Sequence, residues 1–538
     1  MSILLIHPPV AKPAEPPAGI AMLAGVLRRA GVACAVADMN LEGILALMRG
    51  PAHAADTWTL RALRHRERNL ELIRRPETYA VLDRYQRTVF DLNRVLEKSV
   101  SVPSVHLSLA NYQDDALSPT RSADLLRAAE HPEENPFFHY FDLRLTEVMD
   151  EFQPDAVGFS LNYLSQALCT LAMVGYVRRR WPATAIILGG GLVTSWMQGP
   201  RQPVCVGNKS VDANEDPPIG SSARPFNTPE ASSFNPFAGL VDEMVSGPGE
   251  AALLRRFGKM DVPDMSCATP DFSSLPLNTY FAPGPILPYS ASRGCYWNRC
   301  AFCPEMAEGN RYAPVGRSRV IGDIRILVDQ VRPVLIHLLD NAISPAVMRE
   351  LIRRPPGVPW YGFTRFNRQL GDPDFCRELR RAGCVMLKLG LESGSQAVLD
   401  AECKGVDLEL AEQVLENMRI AGIAAYVYLL FGTPSESEAE AKATLDFVAR
   451  NHQGIGFLNL AIFNLPLAGK GRIDLDVFPH NHDDLSLYAD FLHPLGWDRG
   501  KVRRFLDRDF RRHPAIAPIL RRDPRIFTSN HAPFFVGG

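Results

Sequence analysis

The chain has little of what would place it outside a reducing compartment. Its ten cysteines are spread over 538 residues, whereas a disulfide-stapled secreted fold needs a denser set in a far shorter chain. Charge of one sign is also lacking. Lys and Arg number 58 against 60 Asp and Glu, a formal net charge of −2, which argues against a protein built mainly to hold a nucleic acid backbone. No apolar run approaches the roughly 18–20 residues that cross a bilayer. The N-terminus (MSILLIHPP) has no basic lead, and its apolar stretch is too short for a signal peptide. The expectation is a cytoplasmic protein with neither membrane nor nucleic acid among its partners. What is present, 46% hydrophobic and 22% charged residues, suits a large core divided, at about 150 residues per domain, into three or four units.

Strand and helix signals alternate from the start. Residues 3–6 are an apolar run before Pro8-Pro9, 17–30 read as a helix followed by Gly31, and 32–38 read as a second strand. Such strand–helix–strand units build parallel sheets. Residues 55–130 are rich in Arg, Glu and Leu and poor in Gly, and predict inserted helices. The rhythm returns with a strand at 155–160, a helix at 164–180 and a strand at 185–188 running into Gly189-Gly190-Gly191. Residues 199–236, rich in Pro, Ser, Asn and Gly, read as a loop insertion. Val241 to Glu250 then predicts a further strand and a Gly-rich turn.

A second rhythm predicts strands at 286–292, 334–339, 358–364, 385–391, 424–431 and 456–463, with helices between them. Six repeats fall short of a closed eight-fold barrel. The expected fold is α/β, in three parts. An N-terminal doubly wound, Rossmann-like domain spans 1–270, with a helical insertion at about 50–150 and a loop insertion at about 199–236. A partial (β/α)6 barrel follows at 271–467, and a C-terminal tail at 468–538. In the tail, 498–525 holds ten Lys and Arg against four Asp, a solvated helical surface or a contact for an anion or partner. Phe527 to Phe535 forms a polar–aromatic patch that either docks the tail or closes a site.

The densest chemistry is Ser292-Arg-Gly-Cys295-Tyr-Trp-Asn-Arg-Cys300-Ala-Phe-Cys303-Pro, three thiols on a Gly-led loop after a predicted strand. Thiolates suit zinc and iron–sulfur clusters. A structural zinc normally takes four protein ligands, and no cysteine or histidine lies between Pro304 and Val331. Three ligands suit a cubane with one open iron. A zinc site completed by a distant residue, or three unrelated core cysteines, is the alternative.

This loop resembles that of the radical S-adenosylmethionine (SAM) superfamily, whose motif is Cys-x3-Cys-x2-Cys with an aromatic residue before the last cysteine. Here the first spacing is one residue longer. The resemblance implies that Cys295, Cys300 and Cys303 hold a [4Fe–4S] cluster and that Phe302 lies near the SAM adenine. Lys388-Leu-Gly-Leu-Glu392-Ser393-Gly-Ser looks like the family's ribose-binding strand end, which makes Glu392 the ribose ligand, with Ser393 beside it. Asp340, ending the predicted second strand, falls where the family contacts the SAM amino group. Arg365, ending the third, could meet a carboxylate. Ile423 to Pro434 resembles the fifth strand and its turn.

The first domain resembles the cobalamin-binding domain found upstream of many radical SAM domains. Val157-Gly-Phe-Ser160 is followed by Gly189-Gly190, with 26 residues intervening between Asn162 and Gly189; the cobalamin pattern of Ser-x-Leu has leucine where Asn162 stands. The resemblance makes Ser160, Gly189, Gly190, Thr194, Gly247, Gly249 and Glu250 the cobalamin-binding candidates. The Asp-x-His-x-x-Gly motif that ligates cobalt has no true counterpart: Asp38-Met-Asn40-Leu-Glu-Gly43 has Asn for His and follows the second strand. A vestigial or substrate-binding domain is the other reading. No residue is singled out as catalytic. The resemblance implies an enzyme that cleaves SAM to a 5′-deoxyadenosyl radical, with cobalamin-dependent methylation of an unactivated carbon as the outcome. A cobalamin-independent rearrangement, cyclisation or oxidation is one alternative, and a non-enzymatic metal-stabilised binding protein another. The expected partners are a small-molecule or peptide substrate and an electron donor such as flavodoxin or ferredoxin.

Overall fold

Val, Ile, Leu and Ala fill the strands of two parallel sheets, as burial of both faces requires. In the first sheet, β1 (Ser2–His7), β2 (Ala33–Asp38), β3 (Ala156–Ser160), β4 (Ala185–Gly189) and β5 (Glu243–Val245) lie in the order β2-β1-β3-β4-β5, all parallel. The order reverses between β1 and β3, so a crevice opens at their C-terminal ends. The second sheet runs β6 (Ile286–Tyr289), β7 (Leu335–Leu338), β8 (Trp360–Thr364), β9 (Cys384–Glu392), β10 (Ala424–Phe431) and β11 (Phe457–Ile462) as consecutive parallel neighbours. Among the described residues no pairing joins β6 to β11, so the barrel is open. The computed structural model describes residues 1–52, 56–198, 234–259, 268–469, 475–478, 483–527 and 530.

The expected strands all form, with β6 shorter than predicted because Ser292–Arg293 leaves the sheet to pair with Ala313–Pro314. Within the inserted region the helix Leu82–Lys98 buries Tyr85, Val89, Leu92, Val95 and Leu96 along one face. A hairpin of Val105–Leu107 and Tyr112–Asp114 was not anticipated; three-residue strands leave no alternation to detect. The expected loop insertion, apart from 234–236, lies outside the described residues.

The C-terminal part is not a plain tail. Leu465–Pro466, Val477–Phe478 and Tyr488–Phe491 form a small antiparallel sheet. The basic segment is the outer face of docked helices: Val502, Phe505, Leu506, Phe510, Ile516 and Ile519 are buried, while Arg503, Arg504 and Arg511 are exposed. A single apolar cluster runs from Ile3 and Ile20 through Leu287 and Leu387 to Ile519, so first sheet, second sheet and C-terminal helices share one core. Among the described residues no helix is long and apolar enough to cross a membrane.

Candidate active site

The cysteine loop begins where β6 ends. Asp340, just past β7, fixes its approach: the buried carboxylate accepts the Ala291 N–H at 3.0 Å and the Ser292 hydroxyl. The extra residue between Cys295 and Cys300 is absorbed by a left-handed turn at Asn298 (φ 44°), a conformation that Asn tolerates better than most residues. The Trp297 indole donates to the Cys403 carbonyl and the Ala301 N–H to the Glu402 carbonyl, each at 2.9 Å. The loop is thereby pinned to the segment after the helix Gln396–Ala401.

All three thiols are free, and Cys300 is only 7% exposed. Burial pushes the Cys300 thiol up, opposed by Lys404 and Arg365, and pushes Cys303 up to about 11. Arg365 stacks over Trp297 at 4.3 Å, brings Nη1 to 3.8 Å from Cys300 Sγ and donates to the Lys404 carbonyl. Cations beside buried thiols favour the thiolate form that a metal requires. Among the described residues, no three His, Cys, Asp or Glu side chains converge where one ion could sit. A cubane asks for something different. Its three sulfur ligands bind three separate irons and stand farther apart, and the fourth iron takes a ligand from elsewhere. Donor type, donor number and neighbouring positive charge fit a [4Fe–4S] cluster.

Beside this loop, Glu392 ends β9 in a left-handed conformation (φ 70°), where the register against β10 shifts between Gly390 and Glu392. A non-glycine residue held there is strained, as occurs at functional sites. Lys404 Nζ lies 2.7 Å from Glu392 Oε1 and 5.4 Å from the centre of the Phe302 ring. One buried lysine thus gathers two expected SAM-binding residues, 90 positions apart, into one corner. Asp340 and Ser393 are engaged within the protein. The Asp340 carboxylate is occupied as described, and the buried Ser393 hydroxyl pairs with Thr444 and accepts from the Ser395 N–H. Both shape the backbone around the corner.

A cavity of about 1210 Å³ opens between the C-terminal ends of the first sheet and the cysteine loop, larger than the roughly 300–1,000 Å³ pockets that take drug-sized ligands. Ser160, Gly189, Gly190, Thr194, Gly247, Gly249 and Glu250 all line it, together with Ser292, Arg293 and Gly294 from the cysteine loop. Thr194 acts as a staple: its hydroxyl donates to the Gly190 carbonyl at 3.0 Å and accepts the Gly247 N–H at 2.9 Å. Asn162, standing where leucine was expected, ties β3 to β4 by accepting the Gly191 N–H at 3.0 Å and donating to Ser160. The Glu250–Arg293 ion pair and the Ser195 hydroxyl on Glu308, at 2.7 Å, join this rim to the cysteine loop. Two features favour a large polar ligand. A Cβ on Gly247 would meet nothing within 4 Å, and Trp196, 5% exposed, carries an indole N–H without a partner among the described residues. Size, open backbone and orphan donor fit cobalamin. Asp38 and Asn40 are internal: Asp38 caps Leu41 and accepts from Tyr280, and Asn40 accepts from Ala11.

Sequence reasoning missed Lys404 and Trp196, which belong to no local pattern, and gave no role to Trp297 or Asn162 within the motifs that contain them, because Lys404, Trp297 and Asn162 act by reaching across elements.

Residues 289–448 match the family model described as the radical SAM superfamily. An uncharacterised methyltransferase of Pyrococcus horikoshii is 26% identical over 189 residues, covering 34% of this chain and 40% of the relative. The hopanoid C-3 methylase of Methylococcus capsulatus is 24% identical over 320 residues, covering 52% of this chain and 54% of the relative. Among solved structures, the radical SAM methyltransferase TsrM of Kitasatospora setae, with cobalamin and a [4Fe–4S] cluster bound, aligns over 86% of this chain and 75% of its own, at 15% identity and a TM-score of 0.49. The chain spans only about half, or less, of the length of the two curated relatives.

Proposed function

We infer that this chain, whose residues 289–448 form a radical SAM domain, is an enzyme that cleaves SAM reductively and methylates an unactivated carbon with the help of cobalamin. The observation that carries the reading is the meeting of the three-cysteine loop with the Glu392–Lys404–Phe302 corner at the strand ends of one open barrel. When bound, the cluster supplies the electron that splits SAM into methionine and a 5′-deoxyadenosyl radical, and cobalamin supplies the methyl group. The chain's own residues bind and orient. Cys295, Cys300 and Cys303 would hold the cluster through their three thiolates. Glu392 accepts the ribose hydroxyls, two at once for a carboxylate, and Phe302 packs near the adenine. Arg365 and Lys404 offset the negative charge of the cluster. The Gly190–Thr194–Gly247 rim holds the corrin, and the two-part cavity wall excludes water. Because the residues gather at strand ends between two packed sheets, the substrate enters between them, and a soluble one-electron donor such as flavodoxin or ferredoxin serves a cytoplasmic enzyme.

The reading is tested with protein reconstituted anaerobically with iron and sulfide, reduced, and supplied with SAM. The expected result is 5′-deoxyadenosine and methionine, and their absence overturns it. Corrin absorption in the protein as isolated, with a methylated product, supports the methyl-transfer half. SAM cleavage without either turns the reading to rearrangement, cyclisation or oxidation. One zinc per chain and no sulfide would mean a binding protein instead.

Two variants probe the corner and the C-terminus. A Cβ at position 390 would lie 2.4 Å from Glu392 Oε1 and 2.6 Å from Lys404 Nζ. Both are ends of flexible side chains, so Gly390→Ala should leave the melting temperature nearly unchanged while raising the KM for SAM about tenfold, equivalent to 1.4 kcal/mol. Phe527 is fully buried, and the Asn530 amide donates to Glu15 at 3.1 Å. Deleting residues 526–538 should therefore cost stability on the order of 3 kcal/mol and lower turnover, yet leave the iron content intact. Loss of iron on truncation would contradict the assignment of the cluster to the cysteine loop alone.

A further inference from the structure

The barrel interior holds a polar chain that the proposed reaction does not use. Ile286, Leu335, Tyr361, Met386, Tyr426 and Phe457, one from each strand β6 to β11, meet in a single apolar cluster that marks the inner face of the curved sheet. Lys388 stands on this face, its ammonium 4.9 Å from the centre of the Tyr361 ring. It is one inward position after Met386 and one before Gly390, about 13 Å along the strand from Glu392 at roughly 3.3 Å per residue.

Lys388 Nζ lies 2.8 Å from His337 Nε2, and His337 Nδ1 lies 2.9 Å from Glu15 Oε1. An ammonium only donates, so Nε2 accepts and the Nδ1 proton goes to Glu15; one neutral tautomer satisfies both contacts. His337 also stacks on Tyr361 with ring centres 4.3 Å apart and planes 7° from parallel. The lysine is thus held in one place, and Glu15 reaches it from the loop after β1 in the first sheet.

A bond meant only to fasten the two sheets would seat the ammonium directly on the carboxylate. Here an imidazole stands between, and Glu15 is shared with Lys12 and the Asn530 amide. Lys388, 6% exposed, has His337 as its hydrogen-bond partner among the described residues, so N–H donors remain. A buried ammonium without a carboxylate in contact is costly to keep, whereas an apolar residue would pack at this level without that cost. Burial pulls it down to about 8, opposed by Glu15, so it is still largely charged at neutral pH.

We propose that Lys388, positioned by His337 and Glu15, is a substrate-anchoring residue that binds a carboxylate of the molecule occupying the barrel interior. This rests on the radical SAM reading, and it narrows the substrate to a carboxylic acid. Lys388 and Lys12 against Glu15 leave one positive charge, which a monoanion balances better than a phosphate dianion.

The test uses the reconstituted full chain and two probes, cyanate and acetate. Cyanate carbamylates amines, and peptide mass spectrometry reads the rate at Lys388 and at the exposed Lys442. At equal ionic strength, saturating acetate should slow modification of Lys388 by about threefold or more relative to chloride, and leave Lys442 unchanged. In parallel, acetate should raise the melting temperature of the wild type by about 1–2 °C and that of K388M not at all. Equal carbamylation rates in acetate and chloride overturn the proposal. So does a Lys388 that cyanate never reaches, an acetate increment preserved in K388M, or stronger protection by inorganic phosphate. A merely structural lysine would lower the melting temperature of K388M in every buffer and leave the increment alone. 5′-Deoxyadenosine formation on the same samples keeps the two readings apart: its absence sinks the radical SAM reading, while its presence without acetate protection sinks only this one.

Discussion

Replacing any one of Cys295, Cys300 and Cys303 with alanine is expected to remove the iron–sulfur absorption and to lower 5′-deoxyadenosine formation by more than about 10³-fold, with double and triple replacements no worse than the single ones. Groups that act as one unit do not contribute additively: a cubane held by two thiolates has lost its anchor, and further losses have nothing left to remove. The three positions should also be equal to one another despite their different burial, Cys300 being buried and Cys295 and Cys303 half-buried. A graded series, or a variant that keeps its iron, would point to unrelated core cysteines. Measuring iron, sulfide and SAM cleavage on one set of purified variants decides it. Cys403, exposed on the segment that Trp297 grips, is the internal control. Cys403→Ser should retain the cluster, because its contact to the loop runs through a backbone carbonyl that serine also has.

The second large effect is expected at Gly190. Its φ of 116° is one that side chains rarely adopt, and a Cβ there would lie 2.3 Å from the Leu161 carbonyl oxygen and 2.9 Å from the Leu161 nitrogen. Both are backbone atoms of the turn that follows β3, so neither can swing aside. Gly190→Ala should cost about 2–4 kcal/mol, pull the ends of β3 and β4 apart, and abolish corrin binding. Gly247→Ala separates strain from occlusion. Its φ is also positive (71°), but nothing stands within 4 Å of the added methyl, so stability should fall by only about 1 kcal/mol while the methyl extends into the cavity. If both variants bind cobalamin as the wild type does, the cavity serves another ligand. If both still cleave SAM, the two halves of the proposed chemistry are separable, as expected for sites built on different sheets.

The two rhythms of strand and helix were legible because parallel strands are buried on both faces and read as continuous apolar runs, several of them closed by Gly, Pro or Asp. The expected six-stranded open barrel and the seven cavity residues around Gly190 and Gly247 follow from that pattern and from the resemblances it supported. The hairpin at Val105–Leu107 and the sheet built from Leu465–Pro466, Val477–Phe478 and Tyr488–Phe491 were not legible, since strands of two to four residues carry no period. Nor was the docking of the basic C-terminal helices: ten positive charges in 28 residues suggested solvent, and the six apolar residues among them found a shared core only once the chain had folded back.

By itself, the sequence determined which atoms are available as ligands and where along the chain the backbone turns, because thiol spacing, glycine and apolar period are local properties. The tertiary structure alone decided which distant groups share a charge environment. Lys404 beside Glu392 and Phe302, Arg293 on Glu250, and Glu15 on His337 are pairings between elements far apart in sequence. The reason is physical: electrostatic interaction depends on distance through space and on exclusion of water, and neither is written in the order of residues.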